Sequence, residues 1–222
     1  QLRHFTLEQC VLKDNIDKQA FKSLKSLKLI NVEFDNFQNI GWLENMDNLE
    51  VLHITITNQT RMKFKSSFLS RSKNLKSLKI IKKYSNQQLI LDSKCLNHST
   101  VLRELFFNGV VVKNPSGFWQ YVKNLEQLTL INVLNMHLHK SSQLVHLKEL
   151  NMLITRLDVA MYRKEQGIDT NPTQNDLCRF ILSNMTQLTN LDLSYCSLTY
   201  LDKNMFGKLT KLTHLDLSSN RI

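Results

Sequence analysis

His137 and His139, separated by one residue and followed by His146, are the one metal-like spacing in this chain. Imidazole pairs hold zinc when a cysteine or carboxylate completes the coordination shell. None supports this pair, so the sequence predicts no metal site and no cofactor. Nucleophilic chemistry has no better footing. The chain has no G-x-S-x-G, no glycine-rich phosphate loop and no C-x-x-C. Binding, not catalysis, is the expected work, and an enzyme is not expected.

Charge is the next chemical signal. The formal net charge is +10, from 29 Lys and Arg against 19 Asp and Glu. From Arg61 to Lys83 there are nine basic residues in 23 positions and no acid. Lys22, Lys25 and Lys28 extend this basic character towards the N-terminus. A segregated cluster of this kind either binds an anion such as phosphate, sulfated sugar or nucleic acid, or keeps a solvated face soluble. Which of these applies depends on the elements that carry the lysines.

Those elements repeat. The spacing L-x-x-L-x-L starts at Leu2 (with Phe5 and Leu7), Leu24, Leu49, Leu75, Leu102, Leu125, Leu147, Leu188 and Leu212. Successive steps are 22, 25, 26, 27, 23, 22, 41 and 24 residues. Self-similarity at 20–29 residues with this spacing is the leucine-rich-repeat signature. One unit cannot bury its own leucines, so the units must stack. The expected fold is therefore α/β: a curved leucine-rich-repeat solenoid over residues 1–222, with few regular helices and a parallel sheet on its concave face. Strands are predicted near residues 5, 27, 52, 78, 105, 128, 150, 191 and 215. Phe21, Phe68 and Phe206 fall about twenty residues into their units, where an apolar ring plugs the returning side.

At the ninth template position an Asn or Cys side chain usually bonds the bend after the strand. Cys10, Cys196 and Asn220 fit. The middle units carry Val32, Thr57, Lys83, Val110, Val133 and Thr155 instead. Their backbone donors need other partners, so an irregular or flattened middle is expected.

Strand alternation turns the leucines inward and the residues between them outward. Lys28 and Lys79 then face the concave side. The seventh position holds Ile30, Ile81, Ile131 and Leu153, against Ser194 and Ser218 in the last two units. Contiguous exposed apolar side chains mark interfaces, although branched residues also simply favour strands. Val51 and Phe106 project onto the same broad face. The predicted binding surface comprises Lys28, Ile30, His53, Lys76, Lys79, Ile81, Lys82, Phe106, Ile131 and Leu153. A mixed site is expected, with apolar contacts for affinity and lysines for steering an acidic partner.

The 41-residue step places an insertion at about residues 158–187. Its polar stretch MYRKEQGIDTNPTQND is expected to protrude or be mobile, and such loops often carry binding. Cys95 and Cys178 could be unpaired, bonded to each other, or bonded outside the chain. The sequons at Asn58, Asn97 and Asn184 are candidate glycosylation sites of a secreted chain. Asn114 and Asn171 are each followed by proline and are excluded. Asn97 and Asn184 precede a unit start by four or five residues, on the returning side. No apolar stretch of about 18 residues occurs, so no membrane insertion by this segment is expected. Neither polar capping unit is visible, which reads as an interior fragment of a longer chain.

The phrase from Leu188 to Ile222, with Asn204-Met-Phe-Gly-Lys-Leu209 before the next strand, is similar to the 24-residue repeat of Toll-like receptors and related extracellular innate-immune proteins. The resemblance is strong in the last two units and weaker in the others. It implies an extracellular ectodomain, secreted or on a membrane receptor. Such a chain is expected to recognise a protein or pathogen-derived ligand on its concave or lateral face, with a homo- or heterodimer as one possible form. Two other readings remain open. One is a polyanion or nucleic-acid sensor using residues 61–83. The other is an intracellular repeat adaptor whose sequons are accidental.

Overall fold

The computed structural model describes residues 2–13, 19–35, 42–44, 46–57, 62–83, 89–113, 115–133, 136–153, 167 and 173–222. Its strands are β1 (His4–Glu8), β2 (Val11–Leu12), β3 (Ser26–Phe34), β4 (Val51–Ile56), β5 (Lys63–Phe64), β6 (Ser77–Lys82), β7 (Leu89–Asp92), β8 (Glu104–Asn108), β9 (Val110–Lys113), β10 (Gln127–Ile131), β11 (Glu149–Asn151), β12 (Asn190–Asp192) and β13 (His214–Asp216). Among the described residues two short α-helices, α1 (Phe118–Tyr121) and α2 (Gln174–Leu182), lie on the returning side.

The main sheet runs β1-β3-β4-β6-β8-β10-β11-β12-β13, with β2 attached to β3. Neighbours are parallel throughout. Its strands lie where the L-x-L templates put them, each beginning within one residue of its expected start.

Register explains the burial. Leu27, Leu52, Leu78, Leu105, Leu128, Leu150 and Leu191 stack as one column, each at most 2 % exposed. Leu29, Ile54, Ile80, Phe107, Leu130, Met152 and Leu193 form a second, fully buried column. Phe5 and Leu7 of β1 are partly buried, and Leu215 of β13 is 43 % exposed. A repeat fills its core only between two others.

Aromatic rings plug the returning side. Phe64 and Phe68 stack with centroids 4.0 Å apart, and Phe21 packs between Phe5 at 5.2 Å and Trp42 at 5.6 Å. Phe68 is buried, and Phe206 is partly buried against the core. Trp119 is buried, and its Nε1–H donates to the carbonyls of Met136 and His137 at 3.0 and 3.1 Å.

The bend after each strand separates the middle of the array from its end. In the last units side chains bind it. Asn220 Oδ1 accepts from the Leu198 N–H, and its Nδ2 donates to the Leu193 and Leu217 carbonyls, both at 2.8 Å. Cys196 Sγ donates to the Met152 carbonyl at 2.7 Å. In the middle the strands lengthen instead: β3 has nine residues and β4 and β6 have six, against three in β11, β12 and β13. The Thr57 and Lys83 N–H groups donate to the Val32 and Ile56 carbonyls. Beyond the bend a second parallel sheet, β5-β7-β9, forms. The expected irregularity is therefore resolved by extra β-structure, which the β-branched residues at and after the bend favour.

The polar stretch expected to protrude lies mostly outside the described residues. Gly167 and the last four residues are the exception: Thr173 caps α2 and Asp176 closes a capping box. That part of the insertion is the start of an ordinary returning helix, signalled by Thr173-x-x-Asp176.

Candidate functional site

Outward positions of the main sheet align in rows, one side chain per strand. The row between the two buried columns reads Thr6, Lys28, His53, Lys79, Phe106, Thr129, Asn151, Asp192 and Asp216 in strand order. Sequence reasoning named the basic and aromatic members. It passed over the polar and acidic ones, which a column-by-column alignment of the units would have exposed.

The basic end is built on β3, β4 and β6. Lys28 is exposed, while His53 and Lys79 are half-buried. Lys79 Nζ lies 4.3 Å from the centroid of the Phe106 ring. His53 Nε2 hydrogen-bonds Thr55 Oγ1 at 3.1 Å. Partial burial, with the charges of Lys79 and Lys28 on either side, pulls the imidazole down to about 4. At neutral pH His53 is therefore an uncharged polar group between two cations.

The acidic end covers β10 to β13 and forms a hollow of about 680 Å³. Thr129, Glu149, Asn151, Asp192, His214 and Asp216 line it. Oδ1 of Asp192 accepts from the Ser194 N–H, and Oδ1 of Asp216 from the Ser218 N–H, both at 2.8 Å. These bonds fix both carboxylates at the strand end and hold Asp216 below its usual range.

Three expected surface features change in the structure. Lys82 is 6 % exposed and its Nζ points to Met62 Sδ at 3.9 Å. The reason is local. At the eighth template position Gln9, Asn31, Gly109, Asn132, Tyr195 and Ser219 adopt left-handed φ and turn the chain. In β4 and β6 the strand runs on through this position, pairing Ile56 with Lys82. Period-two alternation then sends Lys82 inward after Leu78 and Ile80, and burial pushes its ammonium down. Gly109 packs beside it, where an added Cβ would lie 3.0 Å from the Lys82 carbonyl oxygen.

Lys76 is exposed but shares one carboxylate with Lys25. Glu50 takes Lys25 on Oε1 at 2.8 Å and Lys76 on Oε2 at 2.7 Å. Hydrogen bonds from these two ammonium groups hold the Glu50 carboxyl at about 2. A second ladder joins Arg103, Glu126 and Lys148 at 3.5 and 2.6 Å. Arg71 pairs with Asp47 at 3.2 Å, and Lys63 lies on β5 in the other sheet. The described part of the basic run, residues 62–83, is thus spread over several surfaces.

The apolar edge is interrupted. Ile30, Ile81, Ile131 and Leu153 are half-buried. Thr55 pairs with Ile81, and Asn108 stands between Ile81 and Ile131. These isoleucines therefore do not form one exposed stripe.

Asn97 and Asn184 are exposed on the returning side, Asn97 after a 3-10 turn and Asn184 after α2. Asn58 lies outside the described residues. Cys95 and Cys178 are buried thiols, and burial pushes both upward. His137 is buried and His146 exposed. Among the described residues no group of three His, Cys, Asp or Glu could hold a metal ion, and no helix is long and apolar enough to cross a membrane.

The leucine rich repeat family matches residues 170–222. A search of the curated proteins finds no match. The structure is similar to a leucine-rich-repeat protein of Leptospira interrogans, with TM-score 0.69 and 18 % identity, over 99 % of this chain and 49 % of that one. It is also similar to the mouse RP105/MD-1 complex, with TM-score 0.50 and 19 % identity, over 98 % of this chain and 42 % of that one. The chain spans about half the length of the first and less of the second. Repeat spacing, parallel sheet and these likenesses together show an α/β leucine-rich-repeat solenoid fold, with the family model itself matching the last quarter of the chain.

Proposed function

We propose that this chain is a non-catalytic recognition module that holds a protein or pathogen-derived partner on its concave face. It would act as part of an extracellular, receptor-like ectodomain. The observation that carries this reading is the outward row from Lys28 to Asp216. It is contributed by eight neighbouring strands and aligned by their register. Partly exposed polar and aromatic side chains on a sheet are pre-organised for binding, because little freedom is lost on contact. The matched RP105 is itself in a complex with MD-1, which supports a protein as partner. The dispersal of the basic run weighs against a polyanion sensor.

The test is a comparison of faces. The glycosylated protein, made by secretion, is used to capture partners from extracellular fluid. Phe106→Ala with Thr129→Lys on the concave row is compared with Lys63→Glu and Lys65→Glu on the other side. Loss of capture in the concave variant alone supports the reading. Loss only in the Lys63 and Lys65 variant contradicts it.

A further inference from the structure

The outward row changes sign along its length. Lys28 and Lys79 lie on β3 and β6, and Asp192 and Asp216 lie on β12 and β13. In this row the uncharged Phe106, Thr129 and Asn151 stand between them, with the exposed carboxylates of Glu104 and Glu149 two residues earlier on β8 and β11. Both acids keep one oxygen on a backbone N–H, so the carboxylates are held in place. From β6 to β12 there are four strand steps, about 19 Å at the usual inter-strand spacing, or roughly six residues of extended chain.

We infer that the concave face takes a protein segment whose charges stand in two blocks, acidic over β3–β6 and basic over β12–β13, joined by about six uncharged residues. This rests on the concave-face reading and supplies the chemistry of its partner. The lysines attract the acidic block, while Asp192 and Asp216 repel it from the far end, so orientation is set by charge alone. Like-charge contact across an interface is a strong discriminator. A uniform polyanion does not satisfy this face, because its distal half would lie against carboxylates. A second copy of the chain fits poorly, since two concave surfaces cannot nest.

The probes are blocked peptides of about 14 residues, long enough to cross the row. One carries four glutamates, six uncharged residues and four lysines in blocks. Its control has the same composition with alternating charges. Both have zero net charge, so the +10 of the chain attracts them equally. The block peptide is expected to bind about tenfold tighter or better at about 50 mM salt, where surface pairs are least screened. A photo-crosslinker at its glutamate end is expected to label β3–β6. Lys28→Glu with Lys79→Glu should reduce its affinity to that of the control. So should Asp192→Asn with Asp216→Asn, which keeps the Oδ1 acceptors and therefore the turns. Affinities within about twofold of each other, labelling at both ends, or tighter binding of a heparin hexasaccharide would each overturn the inference. If the block preference fails while capture still depends on Phe106 and Thr129, only the charge pattern is wrong. If labels fall off the sheet face and capture is also insensitive, the concave reading fails with it.

Discussion

The ammonium of Lys79 sits over the face of the Phe106 ring, 4.3 Å from its centroid, on adjacent strands in direct register. Each side chain alone reads as ordinary surface. Together they form a flat cationic platform near the middle of the concave row. A double-mutant cycle of Lys79→Met and Phe106→Leu, followed by denaturant unfolding, is expected to show a coupling of about 0.5–1 kcal/mol. Additive changes would mean the two groups are merely close.

Acid should destabilise the fold through His53. Its folded-state value of about 4 lies below the ordinary 6.5, so the unfolded chain binds more protons between these limits. Stability contributed by keeping this ring neutral is full above about pH 6.5 and falls as pH drops towards 4. His53→Gln should lose less Tm than the parent protein between pH 7 and 5. Equal losses would show that the ring is not held neutral. Glu50, at about 2 against 4.5, acts in a lower window and does not confuse the result.

Lys82 gives a sharper stability test. A buried ammonium with a thioether as its polar contact costs free energy that a methionine would not. Lys82→Met is expected to leave Tm unchanged or raise it at pH 7. In the parent protein stability should rise with pH towards the ordinary lysine value, because the folded ammonium is held lower. A Tm loss of several degrees in Lys82→Met would show that the charge is satisfied.

Lys82 also marks the limit of what the sequence revealed. The leucine columns, strand positions and outward Lys28, Lys79 and Phe106 follow from the template, because inward and outward positions are fixed by alternation. The eighth position does not follow. Whether the chain turns there or runs on depends on the conformation adopted at one residue. Ile56 and Lys82 extend their strands regularly, whereas Asn31 kinks β3 with a register shift and Gly109 turns the chain. The ladders Lys25–Glu50–Lys76 and Arg103–Glu126–Lys148 were legible only by reading units in columns, since their partners lie 22 to 26 residues apart. The acidic end of the row was hidden for another reason: Asp192 and Asp216 look like turn residues, and they are, as well as facing the hollow.

Core substitutions should show what the stacking of units contributes. Leu191→Ala or Leu193→Ala is expected to cost about 2–5 kcal/mol by leaving a cavity between neighbouring units. Chemical denaturation of both variants checks the value, and a loss under about 1 kcal/mol would contradict it.

Asn97 and Asn184 are expected to carry N-linked glycan when the chain passes through a secretory pathway, since both side chains are exposed away from the main sheet. Mass spectrometry after glycosidase treatment reads occupancy directly. Unmodified asparagine at both positions would favour an intracellular repeat adaptor.

The most direct measurement is lysine footprinting by acetylation and mass spectrometry, with and without the captured partner. Lys28 and Lys79 report on the outward row, and Lys63 and Lys65 on the β5 side. Concave recognition predicts that binding slows modification of Lys28 and Lys79 and leaves Lys63 and Lys65 unchanged. Protection of Lys63 and Lys65, with Lys28 and Lys79 reacting as in the isolated chain, would contradict it.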